Sequence, residues 1–492
     1  MIGPQPIASP SLAFGGRMAD WQLTSKDLKR YPHFDSRLSI QDAVALATNP
    51  KAVVGHKFYP FILYTNRWTR FAKRGEDGDV KKRPIRYASR GDAYIFAYYR
   101  HLLTQKYEAA LSKNSLDESV IAYRRIRNID GTGKCNIHFA RDAFEKIKKL
   151  GNCYVVALDI SGFFESLDHS ILRSIWCDLL NVKKLPEDHY RVFRAITRYA
   201  VVEKQAVYER LGYFGPKPKS GKMTNGYLMP YNKMPKQLCT GRDFRQKIAG
   251  GDGSKSLVSV NLKTCGIPQG SPISDLLANM YLLNFDCAVR KILDPLGGSY
   301  LRYSDDILLI VPGGEKEGKA LADQIRGMIG KFGSKLVIKE KKSSVFVLTK
   351  KGKAQYFKLV QGTQGKNGIE YLGFRFDGKK VFIRDSTLSN LYRKIAGSSR
   401  YAAISLVKRY PGRSYAFLES RFNYEKLIQN FGRVKDFGEL GDDYRNWTFW
   451  TYARRAAKIF GPLGSPMHRQ LRAFRENVKR RAAKELTKAF AN

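Results

Sequence analysis

The sequence predicts an α+β fold in three successive parts, one helical, one mixed and one again helical. Residues 36–150 are mainly helical, since apolar residues recur at helical spacing in stretches such as 92–111. From 151 to 385, short runs rich in β-branched and aromatic residues alternate with helical stretches, which is typical of a mixed α+β domain. From about 386 onward the pattern is helical and basic, with 22 Lys and Arg against 8 Asp and Glu between 391 and 492.

The mixed part can be divided into elements by residue type. Helices are predicted at 166–180, capped by Asp168 or Ser170, at 275–293, capped by Ser274, and at 319–333. The Gly-, Lys- and Pro-rich stretch 202–264 is predicted to form loops or a short hairpin inserted into the domain. Strands are predicted at 152–160, in two short pieces within 299–314, and at 335–338, 344–348, 356–360 and 380–383.

Charge is the most informative bulk property. The 492 residues include 87 Lys and Arg against 44 Asp and Glu, a net charge of +43, which favours a polyanionic partner, nucleic acid first and an anionic membrane surface second. No run approaches the roughly 18 apolar residues of a membrane span, so no membrane insertion is predicted. Six scattered cysteines without a CxxC pair argue against zinc and disulfides, and indicate reduced thiols in an intracellular protein.

Three carboxylates stand at the ends of predicted strands. Asp159 follows YVVAL, and Asp305 and Asp306 follow LRYS. A single Asp at such a place is most often a cap or turn residue. If the strands are neighbours, however, the three carboxylates converge where only bound cations make them tolerable, and hard oxygen ligands suit Mg²⁺. Two Mg²⁺ ions roughly 4 Å apart could then activate a 3′-hydroxyl and stabilise departing pyrophosphate.

Several segments around these carboxylates resemble the motifs of reverse transcriptases, in the family's order. LDISGFFESLDH (158–169), GIPQGSPIS (266–274) and RYSDDILL (302–309) resemble the three core palm motifs. KRPI (82–85) resembles the basic fingers motif, EKKS (340–343) the lysine motif, and YLGF (371–374) the primer-grip turn. The resemblance spans roughly residues 80 to 385.

The resemblance implies a right-hand polymerase fold. Its parts would be an N-terminal extension (1–60), fingers (61–150), a palm of antiparallel sheet plus helices (151–385, with inserted loops 202–264) and a basic helical thumb (386–492). The thumb would grip a template–primer duplex through phosphate contacts, which makes binding salt-dependent.

The resemblance also implies roles for individual residues. Asp159, Asp305 and Asp306, with the backbone carbonyl of Ile160, would hold two Mg²⁺ ions, for which Mn²⁺ could substitute. Lys342, for which Lys341 is nearly as good a match, would donate a proton to pyrophosphate. The nucleotide-binding residues would be Lys82, Arg83, Arg86, Phe164, Gln269 and Gly270, and the primer grip would comprise Tyr303, Ser304, Tyr371, Leu372 and Gly373.

Phe164 stands at the position of the family's steric gate, where a bulky ring would exclude a ribose 2′-hydroxyl and make DNA the product. One of the neighbours Phe163 and Phe164 would then be a core residue. Gly270 would let the backbone approach the substrate closely.

Within the family, the segment 120–147 is similar to bacterial retron-like and phage-defence enzymes, and the long insertion at 202–264 favours the latter. The expected partners are a structured noncoding RNA template, dNTPs and the DNA product, in the bacterial cytoplasm and without a membrane. A cysteine-based endonuclease is excluded because the last cysteine is Cys287. Template sequence, priming group and oligomeric state leave no mark on the sequence.

Three other activities compete with this interpretation. A catalytically idle, maturase-like RNA-binding protein would have no physical need for three clustered carboxylates. An untemplated or protein-primed DNA polymerase remains open, since 28 tyrosines offer hydroxyl groups for priming. An RNA-directed RNA polymerase is disfavoured by Phe164, because such an enzyme needs room for the 2′-hydroxyl.

Overall fold

The computed structural model of the chain describes residues 21–69, 80–219, 221–363, 365–432 and 448–491. It is a mixture of helix and sheet, which confirms the α+β prediction at that level. The strands are β1 (Phe61–Thr69), β2 (Val80–Tyr87), β3 (Cys153–Asp159), β4 (Ala200–Glu203), β5 (Phe214–Lys219), β6 (Lys222–Tyr227), β7 (Ser259–Val260), β8 (Ser299–Tyr303), β9 (Asp306–Val311), β10 (Ser344–Lys351), β11 (Ala354–Gln361), β12 (Ile369–Tyr371), β13 (Phe374–Phe376) and β14 (Val381–Ile383).

Helices cover the sheets and form most of the C-terminal region. They are α1 (Ile40–Thr48), α2 (Pro50–Gly55), α3 (Arg90–Lys113), α4 (Asn136–Leu150), α5 (Phe163–Ser166), α6 (His169–Leu180), α7 (Glu187–Thr197), α8 (Lys204–Arg210), α9 (Gly241–Asp243), α10 (Ser274–Tyr281), α11 (Leu283–Leu293), α12 (Glu315–Met328), α13 (Asp385–Arg409), α14 (Tyr415–Arg421), α15 (Tyr424–Phe431), α16 (Phe449–Phe460), α17 (Ser465–Leu471) and α18 (Phe474–Phe490).

The central sheet has the strand order β11-β10-β3-β9-β8, with every neighbouring pair antiparallel. Alternate residues of its inner strands face opposite ways, as the pleat requires. Val156 and Leu309 therefore belong to one core, covered by helices such as α3, α6 and α10. Val155 and Leu308 belong to a second core, against α4, α16 and the β12–β14 sheet. Cores on both faces hold this sheet firmly, so the ends of its strands are rigid positions for side chains.

A second, lateral sheet has the order β2-β1-β4-β7. Strand β1 pairs antiparallel with β2 and parallel with β4. The prediction that 202–264 consists of loops or one hairpin is therefore incomplete. The stretch does contain the β5–β6 hairpin, but it also forms α8 and α9, and it adds β7 and part of β4 to the lateral sheet. Its apolar residues, such as Val207 and Met234, pack with Ile62 of β1 in a separate small core.

Residues 21–60 of the predicted N-terminal extension are part of the main core, where Ala43 of α1 packs with residues of α3. Residues 1–20 lie outside the described part of the chain. The region 386–492 divides into two units. Helices α13, α14, α15 and α18 share one core. Helices α16 and α17 belong to the second core, in which α16 packs against α4 and α17 against β14, through residues such as Phe460 and Met467.

Several local predictions can be checked directly. Asp168 caps α6 by accepting from the backbone N–H of Ser170 at 2.8 Å, as predicted. Ser274 is wrong as a cap: it is the first residue of α10, and its hydroxyl donates to the Pro268 carbonyl at 2.7 Å. The predicted helix 275–293 is two helices, α10 and α11. The predicted strand 335–338 is only a single bridge, between Ile338 and Ile160.

In the described ranges, every helix is too short or too polar to cross a bilayer.

Candidate active site

The two aspartates at 305 and 306 occupy the β8–β9 hairpin. Tyr303 pairs with Asp306 across the hairpin, so Ser304 and Asp305 form a two-residue turn, and Ser304 has a left-handed φ of 62°. Asp306 also faces Asp159 in register at the end of β3. The backbone N–H of Ile160 donates to the Asp305 carbonyl at 3.0 Å, which fixes the turn against β3. The predicted convergence of strand ends is therefore observed: all three aspartates lie at one edge of the central sheet.

The three carboxylates lie close enough to repel one another when they are ionised. Desolvation in the cleft raises the pKa of Asp306 to about 7, and the charges of Asp305 and Asp159 add to the rise, although the Asp306 side chain still reaches solvent. Desolvation, together with Asp159, also raises the pKa of Asp305. The positive charges of Lys342 and Arg83 act in the opposite direction on Asp305. A cation bound at this edge would relieve the repulsion.

The donor set fits a hard divalent cation. Lys342 donates from Nζ to Oδ1 of Asp159, so one of the three carboxylates is paired with an ammonium group. Among the described residues, no group of three or more His, Cys, Asp or Glu side chains is assembled as a preformed metal site. Mg²⁺ does not require such a cage, because it usually binds through one or two carboxylates, waters and substrate phosphates. Metal binding thus remains a prediction for Asp159, Asp305, Asp306 and the Ile160 carbonyl.

A buried polar network behind the turn was missed by the sequence analysis. Arg302 and Asp286 are both fully buried and form a two-pronged ion pair, with Nε–Oδ1 and Nη2–Oδ2 distances of 2.7 and 2.6 Å. Arg302 also donates to Oδ1 of Asn279 at 2.9 Å and to the Ser304 carbonyl at 3.3 Å. The network therefore connects α10 and α11 directly to the backbone of the turn.

A signal for this network exists in the sequence. A guanidinium group stays charged in proteins, so an arginine inside a strand as apolar as LRY must find a buried carboxylate. Asn279 and Asp286 are seven residues apart, two helical turns, within an otherwise apolar helical face. A carboxylate and an amide at that spacing are candidate partners for the arginine.

A cavity of about 1680 Å³ contains four of the predicted nucleotide-binding residues in its lining, Arg83, Phe164, Gln269 and Gly270. The two neighbouring phenylalanines separate here. Phe163 is buried in the core, whereas Phe164 is partly exposed and lines the cavity. The carbonyl of Phe164 accepts from the Ile267 N–H at 2.9 Å, which holds this segment beside the 266–274 turn. Of the two neighbouring rings, Phe164 is therefore the one that lines the cavity.

The three basic residues predicted to hold the triphosphate do not share one face of β2. Arg83 and Ile85 line the cavity. Lys82 and Arg86 alternate with them and are directed to the opposite face of the strand. The Arg86 guanidinium lies 5.5 Å from the ring centre of Tyr199. Of the three, Arg83 is the residue that the structure brings to the cavity.

Gly270 is fixed by the neighbouring strand. The N–H of Arg86 donates to the Gln269 carbonyl at 2.8 Å, so β2 runs directly against this segment. Gly270 has a φ of 115°, and a Cβ atom there would lie 2.8 Å from the Arg86 carbonyl oxygen and 3.0 Å from Cγ2 of Ile85. The close approach that the structure shows at Gly270 is that of β2, and the approach to a substrate remains a prediction.

Gly270→Ala is therefore expected to destabilise the fold by about 1–3 kcal/mol, because it combines a strained φ with a clash against backbone. The matched control is Gly212→Ala, since Gly212 also has a positive φ but open space around its Cβ position. Chemical denaturation of both variants measures the difference. Equal losses for the two variants would contradict the contact with β2.

The predicted primer-grip turn joins β12 and β13. Tyr371 is buried, and Leu372 and Gly373 both have a positive φ, of 46° and 92°. Two such residues are what a tight two-residue hairpin turn requires. The side-chain amide of Asn136 donates to the Leu372 carbonyl at 3.1 Å. Burial raises the pKa of Tyr371, and the charge of nearby Asp306 raises it further.

The other two predicted primer-grip residues, Tyr303 and Ser304, are part of the β8–β9 hairpin that carries Asp305 and Asp306. The hydroxyl of Tyr123 donates to Oγ of Ser304 at 3.3 Å. The structure thus brings both halves of the predicted grip to the same edge of the central sheet.

The sequence model of the reverse transcriptase (RNA-dependent DNA polymerase) family matches residues 247–376, about a quarter of the chain. The matched stretch includes the 266–274 turn, both adjacent aspartates, Lys342 and the 371–373 turn, while Asp159 precedes it. Residues 247–376 are therefore similar in sequence to part of the reverse transcriptase domain. No curated protein matches the chain in sequence.

Solved structures with some similarity to the chain include two telomerases. Apo telomerase from Candida tropicalis, truncated from its C-terminal domain, is 10% identical over 70% of this chain and 59% of its own, with a TM-score of 0.37. Telomerase from Candida albicans, in complex with a TWJ fragment of telomeric RNA, is 12% identical over 91% of this chain and 66% of its own, with a TM-score of 0.35. The chain spans about three fifths of the first telomerase, and likeness at this level does not extend to function.

Proposed function

We propose that the protein is an RNA-directed DNA polymerase that adds dNTPs to a primer paired with an RNA template. The observation that carries the proposal is the in-register pair of Asp159 and Asp306, with Asp305 in the adjoining turn, on the rigid edge of a doubly covered sheet. Catalytic side chains must be held in a fixed geometry, and rigid secondary-structure elements provide it. The residues that line the nearby cavity, and the family match to 247–376, support the same assignment.

In this proposal Asp159, Asp305 and Asp306 hold two Mg²⁺ ions, which supply charge neutralisation for phosphoryl transfer. Arg83 contacts the triphosphate from the cavity wall. Lys342 already lies at the site, since it donates to Asp159, and it is the proposed proton donor to pyrophosphate. The central sheet would serve as the palm, the lateral sheet as the fingers, and the α13, α14, α15 and α18 unit as the thumb.

Primer extension on a defined RNA template, with dNTPs and Mg²⁺, tests the proposal. We expect synthesis to stop when EDTA is added and to return with excess Mg²⁺ or Mn²⁺. Synthesis that is unaffected by EDTA would contradict the metal assignment. Phenol partitioning of the product distinguishes an RNA or DNA primer from a protein primer, because DNA attached to a side chain leaves the aqueous phase.

Phe164→Ala is expected to admit ribonucleotides, because the ring that would contact the 2′-hydroxyl is removed. Phe164 is only partly buried and packs at the border of the main core, so the loss of stability should be smaller than at a fully buried position. The gain in ribonucleotide use relative to dNTPs should be about tenfold or more, measured by competition in single-nucleotide extension. Phe163→Ala is the matched control: it should leave the preference unchanged but cost about 3–5 kcal/mol of stability, because Phe163 is buried. The gate assignment fails if Phe164→Ala retains the wild-type preference.

The proposed biological setting is bacterial phage defence in the cytoplasm, with a structured noncoding RNA as template. It rests on the sequence similarity of 120–147 and on the long insertion at 202–264. Sequencing the RNA and DNA that co-purify with the protein tests it. One structured RNA with complementary DNA is the expected result, and a random sample of cellular RNA would contradict a dedicated template.

A further inference from the structure

A tyrosine cluster surrounds Lys204 at the start of α8. The Nζ atom of Lys204 lies 6.0, 5.3 and 5.2 Å from the ring centres of Tyr64, Tyr208 and Tyr231. Lys204, Tyr64 and Tyr231 also line the large cavity, on whose wall Arg83 and Gln269 lie. We call Lys204, Tyr64, Tyr227 and Tyr231 the Lys204 surface. It is built where the 202–264 segment folds against the lateral sheet.

The charge of Lys204 is held by aromatic faces and not by a carboxylate. Aromatic rings attract a cation within about 6 Å of their centres. Over the described ranges of the chain, no Asp or Glu forms an ion pair with Lys204. Partial burial lowers the pKa of this ammonium group, which indicates that water solvates it incompletely. A partly desolvated cation without a counter-ion is a favourable site for an incoming phosphate.

The surroundings of Lys204 are also basic and expose aromatic rings. Residues 211–242 contain six Lys and Arg and no Asp or Glu. Tyr231 is 48% exposed, and its ring centre lies 6.1 Å from that of Tyr227, which is exposed as well. Nearby on the same segment, Met223 and Leu228 are exposed. Exposed rings within a positive surface are the combination that binds unpaired bases, by stacking and phosphate contacts together.

We infer that the Lys204 surface binds single-stranded nucleic acid, with a phosphate at Lys204 and bases stacked on Tyr231 and Tyr227. Duplex is disfavoured because its bases already stack on one another and cannot cover the rings. This site adds to the proposed function a contact made by the chain's own insertion. Only the identification of the bound strand as unpaired template rests on the proposed function.

Equilibrium binding of a labelled oligouridine to the full-length protein, without dNTPs or metal, tests the inference. Tyr231→Ala should weaken binding by about 5- to 100-fold, as expected for loss of one stacking platform, and Tyr231→Phe should retain it. The matched control is Tyr356→Ala on β11. Tyr356 is also 48% exposed and also lies beside a lysine, with Lys379 Nζ 4.4 Å from its ring centre. The Tyr356→Ala variant should bind oligouridine as tightly as the wild type does.

Lys204→Met provides a second readout that a packing role would not change. Methionine keeps apolar contact with the rings but removes one phosphate contact, so the slope of log affinity against log salt should fall by about 0.7. Thermal melting should show an intact fold. The inference is overturned if Tyr231→Ala binds oligouridine as tightly as Tyr356→Ala does, or if the salt slope of Lys204→Met equals that of the wild type. It is also overturned if Tyr231→Ala weakens binding of a blunt RNA–DNA duplex as much as it weakens binding of oligouridine. Because no polymerisation is measured, the result is independent of whether the proposed activity is found.

Discussion

Replacing Asp305 and Asp306 together by asparagine is expected to abolish DNA synthesis while leaving the fold at least as stable as the wild type. The loss should be at least about a thousandfold, since bound metal supplies several kcal/mol of transition-state stabilisation and each 1.36 kcal/mol is a factor of ten. Steady-state primer extension, with an accompanying thermal melt in EDTA, measures both effects.

The stability part of this expectation follows from the pKa values. The pKa of Asp306 is raised to about 7 in the folded protein, so the folded state binds the proton more tightly than the unfolded chain does. The wild-type free energy of unfolding should therefore fall as the pH rises from about 4 towards 7. Asparagine cannot ionise, so the double variant should lack this part of the decline.

A matched control for the double variant is Asp294→Asn with Asp323→Asn. These two aspartates are exposed and form local helical ion pairs, with Arg290 and Arg326. The control removes the same net charge at a distance from the hairpin and should retain activity. DNA synthesis at the wild-type rate by the Asp305 and Asp306 double variant would contradict a catalytic role for the β8–β9 hairpin.

Arg302→Met is expected to have the largest effect on stability. It leaves Asp286 fully buried without its cation, and loss of one partner of a buried pair typically costs about 3–5 kcal/mol. It also removes the hydrogen bond to the Ser304 carbonyl, so the surviving folded fraction should polymerise more slowly. Urea denaturation and single-turnover extension measure the two effects separately.

The control for Arg302→Met is Lys319→Met, which breaks the exposed pair between Lys319 and Glu315 on α12. Exposed pairs of this kind contribute less than about 1 kcal/mol. Adding Asp286→Asn to Arg302→Met should recover part of the lost stability, because the uncompensated buried charge is then gone. Equal stability of Arg302→Met and Lys319→Met would contradict the buried network.

The parts of the site that the sequence predicted correctly are those with a local signature. The apolar residues on both sides of Asp305 and Asp306 predicted the hairpin, and the β3 strand was predicted from residue type alone. Asp168 was identified as a cap because its side chain needs only the next few backbone N–H groups. The residue pattern alone did not distinguish Phe163 from Phe164, since a four-residue helix has too short a pattern, and the choice of Phe164 came from the family resemblance.

The parts that were missed depend on contacts between distant segments. Strand β4 pairs with β1, which lies far earlier in the chain, so the 202–264 stretch looked like loops although it completes the lateral sheet. Ser274 resembled a cap, but its hydroxyl is taken by the Pro268 carbonyl within the preceding turn. The described helices of 386–492 fall into two units because α16 packs against α4, which lies far earlier in the chain, and α17 packs against β14.

Template-directed synthesis is the central claim, and sequencing the DNA made by the purified protein on a defined RNA of mixed sequence tests it most directly. The proposed function predicts DNA complementary to that RNA, made with Mg²⁺ and dNTPs and lost in the Asp305 and Asp306 double variant. DNA whose sequence is independent of the supplied RNA, or no DNA at all under these conditions, would contradict it.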